Sequence, residues 1–193
     1  MSRPIIVALH GVGASSEGLA AALQPLEAQA EVIALPGPEA FDRGGPGRQW
    51  FSIAGVTEEN RPARVAAALP PLLTRLQDIA DQRGIPRHDL ILLGFSQGAI
   101  MTLAAVAGGH HPGRAIAIAG RLAASVAAVD EKAASVILVH DRGDAVMPVS
   151  LSKEASAALE RAGHRVTIQE TVGLGHSIGA ETITIVRHWL EQN

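Results

Sequence analysis

Leu90-Ile91-Leu92-Leu93-Gly94-Phe95-Ser96-Gln97-Gly98-Ala99-Ile100-Met101 is the stretch on which the fold turns. Its first four residues form an unbroken apolar run, the pattern of a strand buried on both faces of a parallel sheet. A helix pattern runs from Ala99 to Ala107. Between the two, Gly94-x-Ser96-x-Gly98 makes a strand-to-helix turn with a serine at its apex. The glycines answer a steric need, because side chains beside so sharp a turn would collide with strand and helix. Such a turn lifts the hydroxyl above the C-terminal edge of the sheet. The helix N-terminus then aims its dipole and free N–H groups at any negative charge that develops there.

Outward from this turn the chain alternates short apolar runs with helical patterns. Ile5–Leu9, Val32–Leu35, Ala115–Ala119, Val136–Val139 and Val166–Gln169 read as further strands. Ser16–Gln29 and Arg61–Arg83 have helical spacing. Another helix starts at Pro148, carries Leu151, Ala155, Ala158 and Leu159 on one face and stops at Gly163. Ile183, Val186, Trp189 and Leu190 mark the last. Strand–helix alternation predicts a parallel sheet covered by helices on both faces. Pro70-Pro71 inside the Arg61–Arg83 pattern should kink or split that helix. Residues 36–60, rich in Gly and Pro, form one long irregular stretch, and such loops are usually functional or mobile.

Composition sets the outer limits. The chain has 193 residues, enough for one domain with a sizeable core, so 1–193 is read as a single domain. Hydrophobic residues make up 47% and charged residues 18%, which excludes the profile of a disordered chain. A net charge of −3 offers no basic surplus to draw the chain onto nucleic acid or an anionic membrane. With no cysteine there is no disulfide framework, thiolate metal site or cysteine nucleophile. The apolar run after Met1-Ser2-Arg3-Pro4 ends at His10, short of the roughly 7–15 residues of a secretory core. Ala115–Val129, broken by Arg121, is too short to span about 30 Å of hydrocarbon. A cytoplasmic protein without stable membrane insertion is the expectation.

A serine hydroxyl is a poor nucleophile at neutral pH, so a base must stand beside Ser96. In sheets of this type acid and histidine follow the serine, in that order, on loops at the same edge. After Val136–Val139 comes His140-Asp141-Arg142-Gly143-Asp144, and after the last strand Gly173-Leu174-Gly175-His176-Ser177. His176 would take the Ser96 proton, and Asp144 would hold its tautomer. Other histidines fit poorly. His188 lies deep in the last helix, His164 and His88 precede strands at the wrong edge, and His110-His111 read as a solvated turn. Asp141 competes with Asp144; Asp144 is favoured because the acid usually sits a few residues beyond the strand.

His10-Gly11-Val12-Gly13 follows the first strand, as an oxyanion turn would. That assigns the backbone N–H groups of Val12 and Gln97 to an oxyanion hole. Gly11-x-Gly13 lacks the third fingerprint glycine, so no nucleotide site is expected. No second histidine or carboxylate stands at ligand spacing from His10, so no metal is expected. Phe41, Trp50, Phe51 and Phe95 are available either to wall a substrate pocket or to anchor the long loop on the core.

Taken together, Leu9 to Gly13, Arg48-Gln49-Trp50-Phe51-Ser52-Ile53, Gly84-Ile85-Pro86, Leu93 to Gly98, Ala119-Gly120-Arg121-Leu122, His140 to Pro148 and Gly173 to Ile178 resemble the phospholipase/carboxylesterase family of α/β-hydrolases, which includes the acyl-protein thioesterases. The pieces stand in family order over nearly the whole chain. The resemblance implies a minimal α/β-hydrolase fold, with about six mostly parallel strands between helices and no separate cap domain. It implies a catalytic triad of Ser96, Asp144 and His176, an oxyanion hole at Val12 and Gln97, and a substrate pocket shaped by Trp50 and Phe51, with Phe95 and His10 beside it. The implied activity is cofactor-free hydrolysis of short- to medium-chain carboxylic esters by a monomer or homodimer. Thioesters and lysophospholipids are alternatives within the same chemistry, and a catalytically idle binding protein is an alternative of another class. Where the family often carries Gly, Ser and Gly, this chain has Ala99, Ala119 and Asp141.

Overall fold

The computed structural model describes residues 3–129 and 133–193. In chain order it runs β1 (Ile5–Leu9), α1 (Ser16–Leu23), β2 (Glu31–Leu35), β3 (Glu39–Ala40), β4 (Arg48–Gln49), α2 (Arg61–Arg83), β5 (Ile91–Phe95), α3 (Gln97–Ala107), β6 (Arg114–Ile118), β7 (Ser135–Asp141), α4 (Ser150–Arg161), β8 (Arg165–Thr171) and α5 (Ala180–Gln192). Six strands form one sheet in the order β2-β1-β5-β6-β7-β8, with every neighbouring pair parallel. The chain therefore has an α/β fold of the expected class.

The pleat sorts the core into two sides. Ile6, Ala8, Ile91, Leu93, Ile116, Ile118, Ile137 and Val139 face one way and pack with Leu19 and Leu23 of α1 and Ile183, Val186 and Trp189 of α5. Val7, Leu9 and Leu92 face the other way onto α2 and α3, and Val136 and Leu138 pack onto Ala155 and Leu159 of α4. Two-sided burial is what made these strands read as continuous apolar runs.

Several boundaries differ from the sequence expectation, each for a local reason. Pro25 ends α1 early, and Gln24–Ala28 continues as a 3₁₀ turn. The helix α2 is not split at Pro70-Pro71. Both prolines lie on its exposed side, where the carbonyls they leave unpaired meet water, while Val65, Leu69, Leu72, Leu76 and Ala80 hold the buried stripe. β7 runs on through His140 and Asp141, pairing them with Glu170 and Thr171 of β8. β6 stops at Ile118, because Ala119 turns into positive φ (50°). Residues 36–60 contain only the two-residue β3 and β4, paired antiparallel.

Candidate active site

The turn between β5 and α3 carries the strain expected of it. Ser96 sits at φ 54° and ψ −115°, a conformation that L-residues adopt only when the surroundings impose it. Those surroundings are backbone. A Cβ on Gly98 would lie 2.0 Å from the Leu9 carbonyl oxygen, and one on Gly94 would lie 2.3 Å from the Gly98 carbonyl. The Ser96 N–H is fixed by the Ile118 carbonyl of β6 at 3.0 Å.

Two loops from the far half of the sheet reach this serine. His176, between β8 and α5, places Nε2 2.9 Å from Ser96 Oγ and Nδ1 2.6 Å from Asp144 Oδ2. Asp144, on the loop after β7, is buried, and its Oδ1 accepts the N–H groups of Val146 (2.9 Å) and Met147 (2.8 Å). Burial alone would raise its carboxyl. The hydrogen bonds from His176, Met147 and Val146 outweigh that and hold it below the usual carboxylate range. The carboxylate accepting at Nδ1 sets the tautomer, leaving the Nε2 lone pair for the Ser96 hydroxyl. Phe95 packs beside the imidazole, with ring centroids 5.2 Å apart.

Asp141 does not touch the imidazole. Its carboxylate accepts Gly143 N–H (2.8 Å), Thr171 O–H (3.0 Å) and Leu174 N–H (2.9 Å). Of the two competing acids, then, Asp144 is the one at His176. His140 lies behind it, fully buried: Nε2 donates to the Met147 carbonyl at 2.7 Å and stands 3.3 Å from Asp144 Oδ2, while Nδ1 is 2.6 Å from Ser152 Oγ.

The β1 turn runs against the serine, since a Cβ on Gly11 would lie 3.2 Å from the Ser96 Cβ. Gln97 is the first residue of α3, where helix geometry leaves the backbone N–H without an intrahelical partner. His10 is fully buried and neutral in its bonding. Its Nδ1 donates to the Gly11 carbonyl (2.7 Å), its Nε2 accepts the Gly37 N–H (2.9 Å), and burial lowers its pKa.

A cavity of about 250 Å³ opens beside His176, lined by His10, Gly11, Leu19, Ala22, Phe95 and Ile178 among others. Phe95 and His10 both line this cavity. Trp50 and Phe51 do not line this cavity. They are 2% and 4% exposed, belong to the core under α2, and border a separate groove with Arg64 and Pro71. Their burial is fixed by the Gln97 side chain, which accepts Trp50 N–H and donates to the Phe51 carbonyl, both at 2.8 Å, while the indole N–H reaches the His10 carbonyl at 2.9 Å. Sequence reasoning missed three features: the α1 wall of the cavity, the Gln97 side chain and His140. Only the last left a signal, a histidine directly after an apolar strand run. Among the described residues no three His, Asp or Glu side chains gather as a metal site would need, and no helix is long and apolar enough to cross a membrane.

A parallel sheet with a strained serine turn after its third strand, met by acid and histidine loops at the same edge, defines an α/β hydrolase. The chain belongs to the phospholipase/carboxylesterase family, whose sequence profile matches residues 1–193. It is 33% identical over 207 residues to Esterase YpfH of Escherichia coli K12, covering 99% of this chain and 87% of that protein. It is 25% identical over 210 residues to a probable carboxylesterase SOBER1-like of Arabidopsis thaliana, covering 100% of this chain and 79% of that protein. Among solved structures, esterase PE8 superposes with a TM-score of 0.86 at 26% identity, over 99% of this chain and 93% of that one. A carboxylesterase from Mesorhizobium loti shares the fold with a TM-score of 0.84 at 22% identity, over 100% and 90%.

Proposed function

We propose that the chain is a serine carboxylesterase that hydrolyses short- to medium-chain carboxylic esters through an acyl-enzyme at Ser96. The observation that carries this reading is the unbroken hydrogen-bonded line from Ser96 Oγ through His176 to Asp144, with both distances within 2.9 Å. Ser96 attacks the ester carbonyl as His176 Nε2 takes its proton. The backbone N–H groups of Val12 and Gln97 receive the charge that develops on the carbonyl oxygen, and Asp144 stabilises the imidazolium. His176 then protonates the departing alcohol. In the second half it draws a proton from water, which attacks the acyl carbon, and returns that proton to Ser96 Oγ as the acyl C–O bond breaks and the acid leaves.

The size and lining of the cavity beside His176 support small, uncharged acyl or alcohol groups. At about 250 Å³ it falls below the ~300–1,000 Å³ of sites for drug-sized ligands. In this reading residues 1–193 act as one domain without a cap, in the cytoplasm, as monomer or homodimer, on a small-molecule ester and without a cofactor.

The test is a p-nitrophenyl ester series from acetate to palmitate, run with one acyl-CoA, together with a fluorophosphonate probe. Labelling at Ser96, lost in Ser96→Ala, with turnover falling by several orders of magnitude in Ser96→Ala and His176→Ala, is the expected result. A folded protein that neither labels nor turns over any ester would leave the idle-protein alternative. Preference for the acyl-CoA would move the assignment to a thioesterase.

A further inference from the structure

Asp141 is a buried carboxylate that the chemistry above does not use, yet it binds both loops that bring His176 to Ser96. It ends β7, directly opposite Thr171, the last residue of β8. One oxygen accepts Gly143 N–H from the loop that leads to Asp144, and the other accepts the Thr171 hydroxyl and the Leu174 N–H. Three donors converge here, which suits an acceptor-only group and disfavours an amide, whose NH₂ would face at least one of them.

The His176 loop needs such an anchor. Leu174 lies between Gly173 (φ 84°) and Gly175 (φ 62°), and a Cβ at either glycine would meet nothing within 4 Å. The chain is thus permissive on either side of Leu174, where open space surrounds both glycines. Apart from the two bonds of the His176 ring itself, the other bonds of this turn are internal. Ser177 Oγ donates to Leu174 O at 2.7 Å and Ser177 N to Gly175 O at 3.1 Å. Bonds of that kind shape the loop but move with it. Asp141 belongs to the sheet, the same rigid body that holds Ser96. The hydrogen bond at Leu174 N–H therefore sets where the loop stands relative to the nucleophile.

We propose that Asp141 is a positioning residue for the reaction assigned to Ser96, acting only through His176: its carboxylate holds the Leu174 backbone so that the imidazole reaches Ser96 and Asp144 together. The inference rests on the functional reading given above. A displacement of His176 by about 1 Å would break both of its hydrogen bonds, and displacements of that size cost on the order of 10²-fold in rate.

A double-mutant cycle with His176 tests this. Asp141→Ala and Asp141→Asn are made in the wild-type chain and in His176→Ala, with ester turnover expressed per folded protein. In the wild-type background Asp141→Ala is expected to lower kcat by about 10²-fold and to change KM by less than about two-fold. Asp141→Asn keeps one acceptor oxygen and should recover part of that loss. In the His176→Ala background neither substitution should lower the residual turnover, because a residue acting through the imidazole has nothing left to act on. Thr171→Val removes one donor, leaves Leu174 held, and should cost only a few-fold. If Asp141→Ala does not fold, Asp141→Asn carries the same cycle. A full kcat in Asp141→Asn and Asp141→Ala, or a loss equal in both backgrounds, overturns the proposal. Failure of the functional reading is a separate result: there His176→Ala itself keeps near wild-type turnover.

Discussion

Two neighbouring regions, the turn from β5 into α3 and the long segment 36–60, are held in place by different physics. The turn is fixed by backbone against backbone: Gly98 lies on the Leu9 carbonyl, Gly94 on the Gly98 carbonyl, and Ser96 is forced to φ 54° between them. The long segment has close backbone contacts of its own at Gly37 and Gly47, but beyond them it is fixed by side chains reaching backbone. Asp42 accepts Ile53 and Ala54 N–H and the Ser52 hydroxyl on one oxygen, and Gln49 Nε2 on the other. Arg48 donates to the Gly37 carbonyl at 2.8 Å, and Gln97 pins Trp50 and Phe51. The first kind of constraint leaves a local trace, since only glycine satisfies it. The second depends on particular side-chain partners, from 7 residues away for Asp42 and Gln49 to 47 for Trp50 and Gln97, and a length of chain rich in Gly and Pro looks loose even where it is tied down.

The largest effect should fall on the turn. Gly98→Val puts side-chain atoms where the Leu9 carbonyl already stands, and β1 is a central strand with no room to retreat. We expect no soluble folded protein, read as inclusion bodies on expression and loss of cooperative melting in any refolded material. In the long segment, Arg43→Ala removes an exposed side chain and should leave stability within about 0.5 kcal/mol of wild type. A Gly98→Val protein that folds and melts normally would remove the basis of the contrast.

Gln97 is the joint between the two regions and sharpens the comparison. Gln97→Leu keeps the volume and the backbone N–H but strands two buried groups, the Trp50 N–H and the Phe51 carbonyl. Each group left unmade costs about 1–3 kcal/mol, so a loss of about 2 kcal/mol or more and a fall in Tm of about 5 °C or more are expected. Denaturant melts and hydrogen exchange at Trp50 measure it. If the segment is held by these bonds, exchange should rise in 36–60 and stay unchanged in β5. Equal loosening of both would mean that turn and loop are one cooperative unit.

This contrast also explains how much could be read in advance. The sheet was legible because buried parallel strands need continuous apolar runs and the helices between them need periodic ones. The meeting of Ser96, Asp144 and His176 was legible because each follows a strand, and in a parallel sheet strand ends share one edge. Asp141 and His140 were not recognised as strand residues. A polar residue at the end of an apolar run looks like a loop, and partners from β8, the loop after it and α4 (Thr171, Leu174 and Ser152) help to make their burial tolerable. Trp50 and Phe51 were expected at a substrate wall, but the sequence carries no mark of the Gln97 side chain that turns their backbone into the core. The continuity of α2 through Pro70-Pro71 depended on which side faced water, a property of the packed helix rather than of the dipeptide.

The smallest expected effect lies where the β1 turn meets the long segment. His10 holds Gly37 N–H on its Nε2, a bond that only the neutral ring can accept, and burial lowers its pKa below the ordinary value near 6.5. Between the folded and unfolded pKa the unfolded chain binds a proton that the folded one does not, so stability must fall as pH drops below about 6.5. His111 and His164 are lowered by burial as well and add slopes of the same sign. His10→Gln offers an amide oxygen to Gly37 without a titration. Its melts between pH 7.5 and 5 should therefore lose part of the wild-type slope, a difference of at most about 1.4 kcal/mol per pH unit for one proton. An unchanged slope would mean that His10 is protonated in the folded chain. In that case Gly37 would lose its acceptor on Nε2, and the long segment would be tied to the β1 turn by its other bonds, from the Trp50 indole N–H to the His10 carbonyl and between Arg48 and the backbone of Gly13 and Ala14.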